Sequence, residues 1–277
     1  MLQCSRSAIP GVIRAKMSRS NTTTVLMYHA VLAASDDGSA ADARYAVSQA
    51  QFLEHLRAVR NAGLRPASVL SLLPHDDVAA VAFTFDDGHE SNAWAAQVLH
   101  DAGGAGDFFV NTTTVGTSGH LSWQALRDMA AAGMSIQSHG HRHCYLDELT
   151  PAEVEQELRT SKALLEDKLG NRVELFAPPG GRMPSNLHQT AARLGYRSIC
   201  TSRVDLWRDR RADDIPRLAV LRGTPNGQFA KWLTQDGMEL LQQRLRYGAL
   251  TSGKRMLGNA NYERMRRGLL RLASGGH

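Results

Sequence analysis

Val78-Ala79-Ala80-Val81-Ala82-Phe83-Thr84-Phe85-Asp86-Asp87-Gly88 runs eight uncharged, mostly apolar residues into two carboxylates and a glycine. A run of this length reads as a strand buried on both faces, the habit of parallel sheets. Shorter runs that also read as strands, three of them with one charged residue (Asp107, Glu174, Arg197), lie at residues 24–28, 106–110, 134–137, 173–176, 197–201 and 218–221. Helical spacing fills the intervals. Residues 48–62 put Phe52, Leu53, Leu56 and Val59 on one side, behind a cap at Ser48 and ahead of a stop at Gly63. Residues 92–102, 123–132 and 186–194 follow the same logic. The clearest helix is 151–169, where Thr150 and Glu153 form a capping box, Pro151 takes the first position and Gly170 ends it. Such alternation predicts a parallel sheet of about seven strands. Periodicity alone leaves open a closed barrel or a doubly wound sheet.

In either architecture active sites gather past the carboxyl ends of the strands, and the polar motifs fall there. Asp86-Asp87-Gly88 alone reads as a tight turn. Two adjacent carboxylates after a buried strand are costly, however, unless a cation or donor compensates them. His139-Gly140-His141-Arg142-His143 follows the 134–137 strand. His139 and His143 have the i, i+4 spacing that converges on one face of a helical turn. Two imidazoles and one carboxylate make a metal donor set with an open coordination position. His141 reads as a bystander or as support for the ligands.

Phe83-Thr84-Phe85-Asp86-Asp87-Gly88, then His139-x-x-x-His143, then Phe176-Ala177-Pro178-Pro179-Gly180-Gly181 resemble the motifs of the polysaccharide deacetylase family, carbohydrate esterase family four. Supporting similarity runs from about Val25 to Phe229 and includes Leu26-Met27-Tyr28-His29, Gly119-His120-Leu121-Ser122-Trp123 and Ile215-Pro216-Arg217. The resemblance implies a distorted (β/α) barrel and a divalent metal, zinc in most members, held by Asp87, His139 and His143. It implies Asp86 as general base and the backbone N–H of Gly180 as an oxyanion donor. The activity implied is removal of N-acetyl groups from an amino sugar, in a saccharide or in a glycolipid or polysaccharide intermediate.

Two positions depart from the family pattern. Ala177 stands where an Arg usually braces the base, and Gly180 stands where an aromatic residue is usual. Arg217 and Arg182 are the candidates to replace that Arg. No Leu-x-His near the last strands supplies the usual acid, and His29, at the end of the first strand, is the candidate acid in its place, against a purely structural role. Trp207, two residues after Asp205, is similar to an Asp-Trp motif, whereas Trp123 reads as packing. These departures keep two alternatives open: a catalytically weak saccharide-binding or scaffold protein, and an amidohydrolase acting on a non-sugar amide.

Composition sets the remaining bounds. The chain has 277 residues, 43% hydrophobic and 21% charged, as expected of a soluble globular protein. It contains no apolar run near the roughly 18 residues a transmembrane helix needs. The first twenty residues carry four Lys or Arg without a continuous apolar core, so a secretory signal is not expected, and a leader or a start at Met17 is. Cys4, Cys144 and Cys200 are odd in number and form no CxxC, which suits a reducing, cytoplasmic location. Residues 238–277 hold eight Lys or Arg against two Glu, a surplus of six that leaves the preceding residues at −1 of the net +5. The basic character belongs to an appendage, and no nucleic-acid partner is expected. Tyr262, Met265 and Leu269 among Arg264, Arg266, Arg267 and Arg271 read as a basic helix, packed on the barrel or meeting an anionic membrane surface or acidic carrier. The expected layout is a flexible leader over 1–21, a catalytic domain over 22–235 and a basic helical tail over 236–277.

Overall fold

The computed structural model describes residues 22–34, 44–73 and 78–257. The leader over 1–21 and the tail residues Tyr262 to Arg271 lie outside the described residues. In chain order the elements are β1 (Val25–Tyr28), β2 (Val31–Leu32), β3 (Val47–Ser48), α1 (Gln49–Asn61), β4 (Arg65–Ala67), α2 (Val69–Leu72), β5 (Ala80–Phe85), α3 (Asn92–Asp101) and β6 (Asp107–Val110). Then come α4 (Trp123–Ala131), β7 (Ser135–Ser138), α5 (Pro151–Leu169), β8 (Leu175–Phe176), α6 (Leu187–Arg193), β9 (Ser198–Cys200), β10 (Asp214–Ile215), β11 (Leu218–Ala219), α7 (Asn226–Leu233) and α8 (Gly237–Leu257).

The main sheet has nine strands in the order β10-β9-β8-β7-β6-β5-β1-β11, with β4 added beside the first half of β5. Every pairing is parallel. Helices surround the curled sheet, which is a distorted (β/α) barrel. Only Pro216 and Arg217 separate β10 from β11, so a single tight connection carries the chain across the seam between the two ends of the sheet.

Side-chain alternation along the strands sorts the core into two layers. Leu26, Tyr28, Val81, Phe83, Phe85, Phe108, Ile136 and Phe176 belong to the large cluster that also takes in helix residues such as Phe52, Leu99 and Leu158. Val25, Ala80, Ala82, Phe109, Leu175, Ala177, Cys200 and Ile215, of the opposite parity, form a second cluster with Trp207. On β5 that second parity continues through Thr84 to Asp86. The inner layer is therefore apolar at one end and polar where the strands finish. The helices are capped as their sequences require: Ser48 accepts from Gln51 N–H, and Thr150 with Glu153 closes a capping box ahead of α5, which ends at Gly170 with φ 70°.

Elements of two to four residues (β2, β3, β4, α2, β10) and α7 add to the expected set. α8 begins against the body, with Leu240 buried and Arg244 donating to the Val204 carbonyl. Met238, Leu241 and Leu245 face solvent. No helix among the described residues is long and apolar enough to cross a membrane.

Asp107 on β6 is fully buried, and its carboxyl accepts the N–H groups of Val69 and Leu70 at the start of α2 (2.5 and 3.4 Å). Burial still dominates and pushes its pKa up to about 7. Between the ordinary carboxylate range near 4 and that value, the unfolded chain has released a proton that the folded chain keeps. Stability from this group is complete at low pH and is lost as pH rises towards 7, with a slope of at most about 1.4 kcal/mol per pH unit. Urea unfolding at pH 5, 6 and 7 should therefore show a flatter dependence in Asp107→Asn than in the wild type.

Candidate metal centre and active site

Four strand ends build the site. β1 delivers His29, β5 delivers Asp86 and Asp87, β7 delivers His139, and the segment after β8 supplies Ala177 to Gly181. The Asp86 N–H donates to the Tyr28 carbonyl, which ties the first two ends together.

Asp87 leaves the strand with φ 72°, a left-handed conformation that a non-glycine residue rarely adopts. His143 has φ 55°. Two of the three non-glycine residues with positive φ among the described residues are thus members of the expected donor set, which is where backbone strain tends to gather when a site requires it. Asp87 Oδ1 lies 3.2 Å from His139 Nε2 and 3.1 Å from His143 Nε2, and one donor atom from each residue falls within 4.8 Å of the others. Zinc–ligand bonds of about 2.0–2.1 Å in a tetrahedron put donors roughly 3.3 Å apart. The set fits a divalent cation.

The His139 ring is oriented for that role. Its Nδ1 lies 2.7 Å from the Ala177 carbonyl, so Nδ1–H donates to the main chain and the Nε2 lone pair is aimed at Asp87 and His143. The expected helical turn through 139–143 is not formed. Gly140 (φ 88°) and His143 (φ 55°) both take left-handed conformations, and these two reversals bring the imidazoles together in an irregular loop. His141 turns its Nδ1 to Thr112 Oγ1 at 2.7 Å.

Arg217 fills the place that Ala177 leaves. Coming from the β10–β11 seam, its guanidinium makes two parallel bonds to Asp86, at 2.7 Å to Oδ1 and 2.8 Å to Oδ2, and donates to Thr84 Oγ1 and the Thr201 carbonyl. Both partners are buried. Arg182 is engaged elsewhere, with Asp147 at 2.9 Å and over the Tyr145 ring. Burial alone would raise the Asp86 pKa, but the charge and hydrogen bonds of Arg217, together with the nearby His139 and His29, outweigh it and hold the carboxyl below its usual range. Burial also works against ionised Asp87, and the surrounding imidazoles of His139, His143 and His29 more than offset it and hold its carboxyl below the usual range.

His29 reaches the same edge, with Nε2 4.0 Å from Asp87 Oδ2 and its ring 4.5 Å from that of Tyr45. Burial lowers its pKa despite the two nearby carboxylates, and its buried Nδ1 has no hydrogen-bond partner among the described residues. Gly180 has φ 61°, and a Cβ there would stand 2.6 Å from Tyr145 Cε1. An aromatic ring from the loop after His143 thus covers the position where the family pattern carries an aromatic side chain. Tyr145 had no motif to announce it; its only signal is an aromatic two residues past the second ligand. Trp207 is buried, donates its indole N–H to the Asp209 carbonyl and stacks with Arg210, so it is committed to packing. Trp123 likewise packs against the core.

Known proteins share this fold. Residues 75–199 match the polysaccharide deacetylase family model. YxkH of Bacillus subtilis (strain 168), named for the same family, is 26% identical over 217 residues, covering 76% of this chain and 75% of that one. The deacetylase PplD of Streptococcus pyogenes, solved with acetate, superposes with a TM-score of 0.69 at 24% identity, over 78% of this chain and 98% of that one. IcaB from Ammonifex degensii gives a TM-score of 0.66 at 24% identity over the same shares, 78% and 98%. At these identities the solved structures speak for the fold, and the family match spans residues 75–199. Over residues 75–199 the chain is similar to the polysaccharide deacetylases, hydrolases that act on C–N amide bonds.

Proposed function

We propose that the protein removes N-acetyl groups from an acetylated amino sugar, in a saccharide or in a glycolipid or polysaccharide intermediate, using a divalent cation held by Asp87, His139 and His143. The observation that carries the reading is the meeting of those three donors beside a carboxylate braced by a buried arginine. Nitrogen donors from two imidazoles with one carboxylate favour zinc. When bound, such a cation supplies Lewis acidity toward an acyl oxygen and toward water.

The chain's own groups do the rest. Asp86 is the base: Arg217 keeps it ionised and fixes both oxygens, so it is ready to accept a proton without rotating away. The Gly180 N–H is aimed, in this reading, at the oxygen that gains charge. The amide nitrogen must leave as an amine and needs a proton. His29, neutral at rest because burial disfavours its charge, is placed to take up the proton that Asp86 removes from water and hand it to that nitrogen. Arg217 and His29 stand in for the two missing family features, which weakens the case for a saccharide-binding protein without turnover.

Acetate release from a panel of N-acetylated saccharides, with and without a chelator, tests the reading. Chelator-sensitive release is expected from amino-sugar substrates. Release from simple amides alone would move the activity to a non-sugar substrate. His29→Ala should lower kcat by about 10²- to 10⁴-fold while metal content stays unchanged. Activity near that of the wild type would remove His29 from the mechanism.

A further inference from the structure

We propose that Glu157, on α5 and outside the donor set, is the positioning residue that holds the His139–His143 loop in the shape that lets both imidazoles grip a metal. The proposal rests on the metal reading of that site.

An irregular loop lacks the repeating bonds of a helix, so its buried amides need acceptors from elsewhere. Glu157 supplies them. Its Oε2 accepts the N–H of His141 and the N–H of Arg142, both at 2.9 Å, and its Oε1 accepts Nε–H of Arg142. One side chain therefore gathers donors from two consecutive residues that lie between the two histidine ligands. A Cβ at Gly140 would lie 3.7 Å from Glu157 Oε2, so the carboxylate sits directly beneath the loop's first left-handed turn.

The position of Glu157 argues against a routine surface pair. It lies on the buried stripe of α5 with Val154, Leu158, Ser161 and Leu165, and its side chain is 2% exposed. A carboxylate on an apolar stripe is costly unless its lone pairs are filled, and here the loop fills them. Arg142, by contrast, is 56% exposed, and an ion pair open to water contributes little. The weight falls on the two main-chain bonds. On the other side the loop is tied by Thr112 and Thr113, whose N–H groups donate to the carbonyls of Gly140 and His141. Glu157 is the matching clamp from the helix layer, and the capped, 19-residue α5 makes it a rigid one.

Residues that orient metal ligands typically cost about 10- to 100-fold in metal affinity when replaced. Glu157→Leu keeps roughly the bulk on the buried stripe but leaves the N–H groups of His141 and Arg142 without an acceptor. The test is a cobalt(II) titration of the metal-stripped full-length protein, followed by visible absorption, with circular dichroism to confirm folding. The wild type should bind, Glu157→Leu should bind about 10- to 100-fold more weakly with an altered spectrum, and Arg142→Ala should change little because the main-chain bonds remain. If Glu157→Leu fails to fold, Glu157→Asp, which keeps the charge but shortens the reach, takes its place with the same expected loss. Wild-type affinity and spectrum in the folded Glu157 variant overturn this inference alone. Failure of the wild type to bind cobalt overturns the metal reading beneath it.

Discussion

Asp87→Asn is expected to abolish deacetylation and metal retention together while leaving the fold intact. Asp87 is the only carboxylate of the donor set, and its Oδ1 faces both imidazole nitrogens. Asparagine is the informative replacement because it tolerates the left-handed backbone at φ 72° and nearly preserves the side-chain shape. What it removes is the charge that makes the site attractive to a cation. Losing Lewis-acid stabilisation worth several kcal/mol means a fall of roughly a thousand-fold or more in kcat, at about 1.4 kcal/mol per tenfold. Acetate release, metal content and far-ultraviolet circular dichroism on the same preparation check the three parts. An active Asp87→Asn protein would remove the carboxylate from the ligand set.

Arg217→Met should be the most damaging single change to stability near the site. Arg217 and Asp86 are both buried, and the guanidinium satisfies both carboxylate oxygens. Removing one partner of a buried pair leaves an uncompensated charge and costs about 3–5 kcal/mol. The pH dependence should change sign. In the wild type Asp86 titrates below its usual range, so its contribution is present above that range and is lost as pH falls through the lowered value. Without Arg217, burial dominates and raises the Asp86 pKa. The variant then recovers part of its deficit as pH falls, when the carboxyl takes up a proton. Thermal melts at pH 5 and pH 8 read this difference. Adding Asp86→Asn to Arg217→Met should restore much of the lost stability and none of the activity. A single variant as stable as the wild type at pH 8 would show that the pair does not carry the energy assigned to it.

The long elements were legible because their own residues specify them. α5 begins at its capping box and ends at Gly170, and β5 runs apolar up to the Asp pair. The two-residue strands β2, β3 and β10 were not legible, since pairing partners far along the chain define them and no local pattern can. The ligand triad was visible as residue types at strand ends. The way it closes was not: the His139–His143 spacing suggested a helical turn, whereas two left-handed residues shape the loop. Ala177 carried no visible role because it works through its carbonyl, which every residue has. Arg217 could be nominated only as one of two arginines. What decides between them is the seam of the barrel, a three-dimensional fact that puts Arg217 inside and leaves Arg182 with Asp147.

Zinc-edge anomalous diffraction from crystals of the zinc-loaded, active protein tests the central claim most directly. The expected result is one strong peak at bonding distance, about 2.0–2.2 Å, from Asp87 Oδ1, His139 Nε2 and His143 Nε2. A fully active protein whose metal sits away from these three atoms would contradict it.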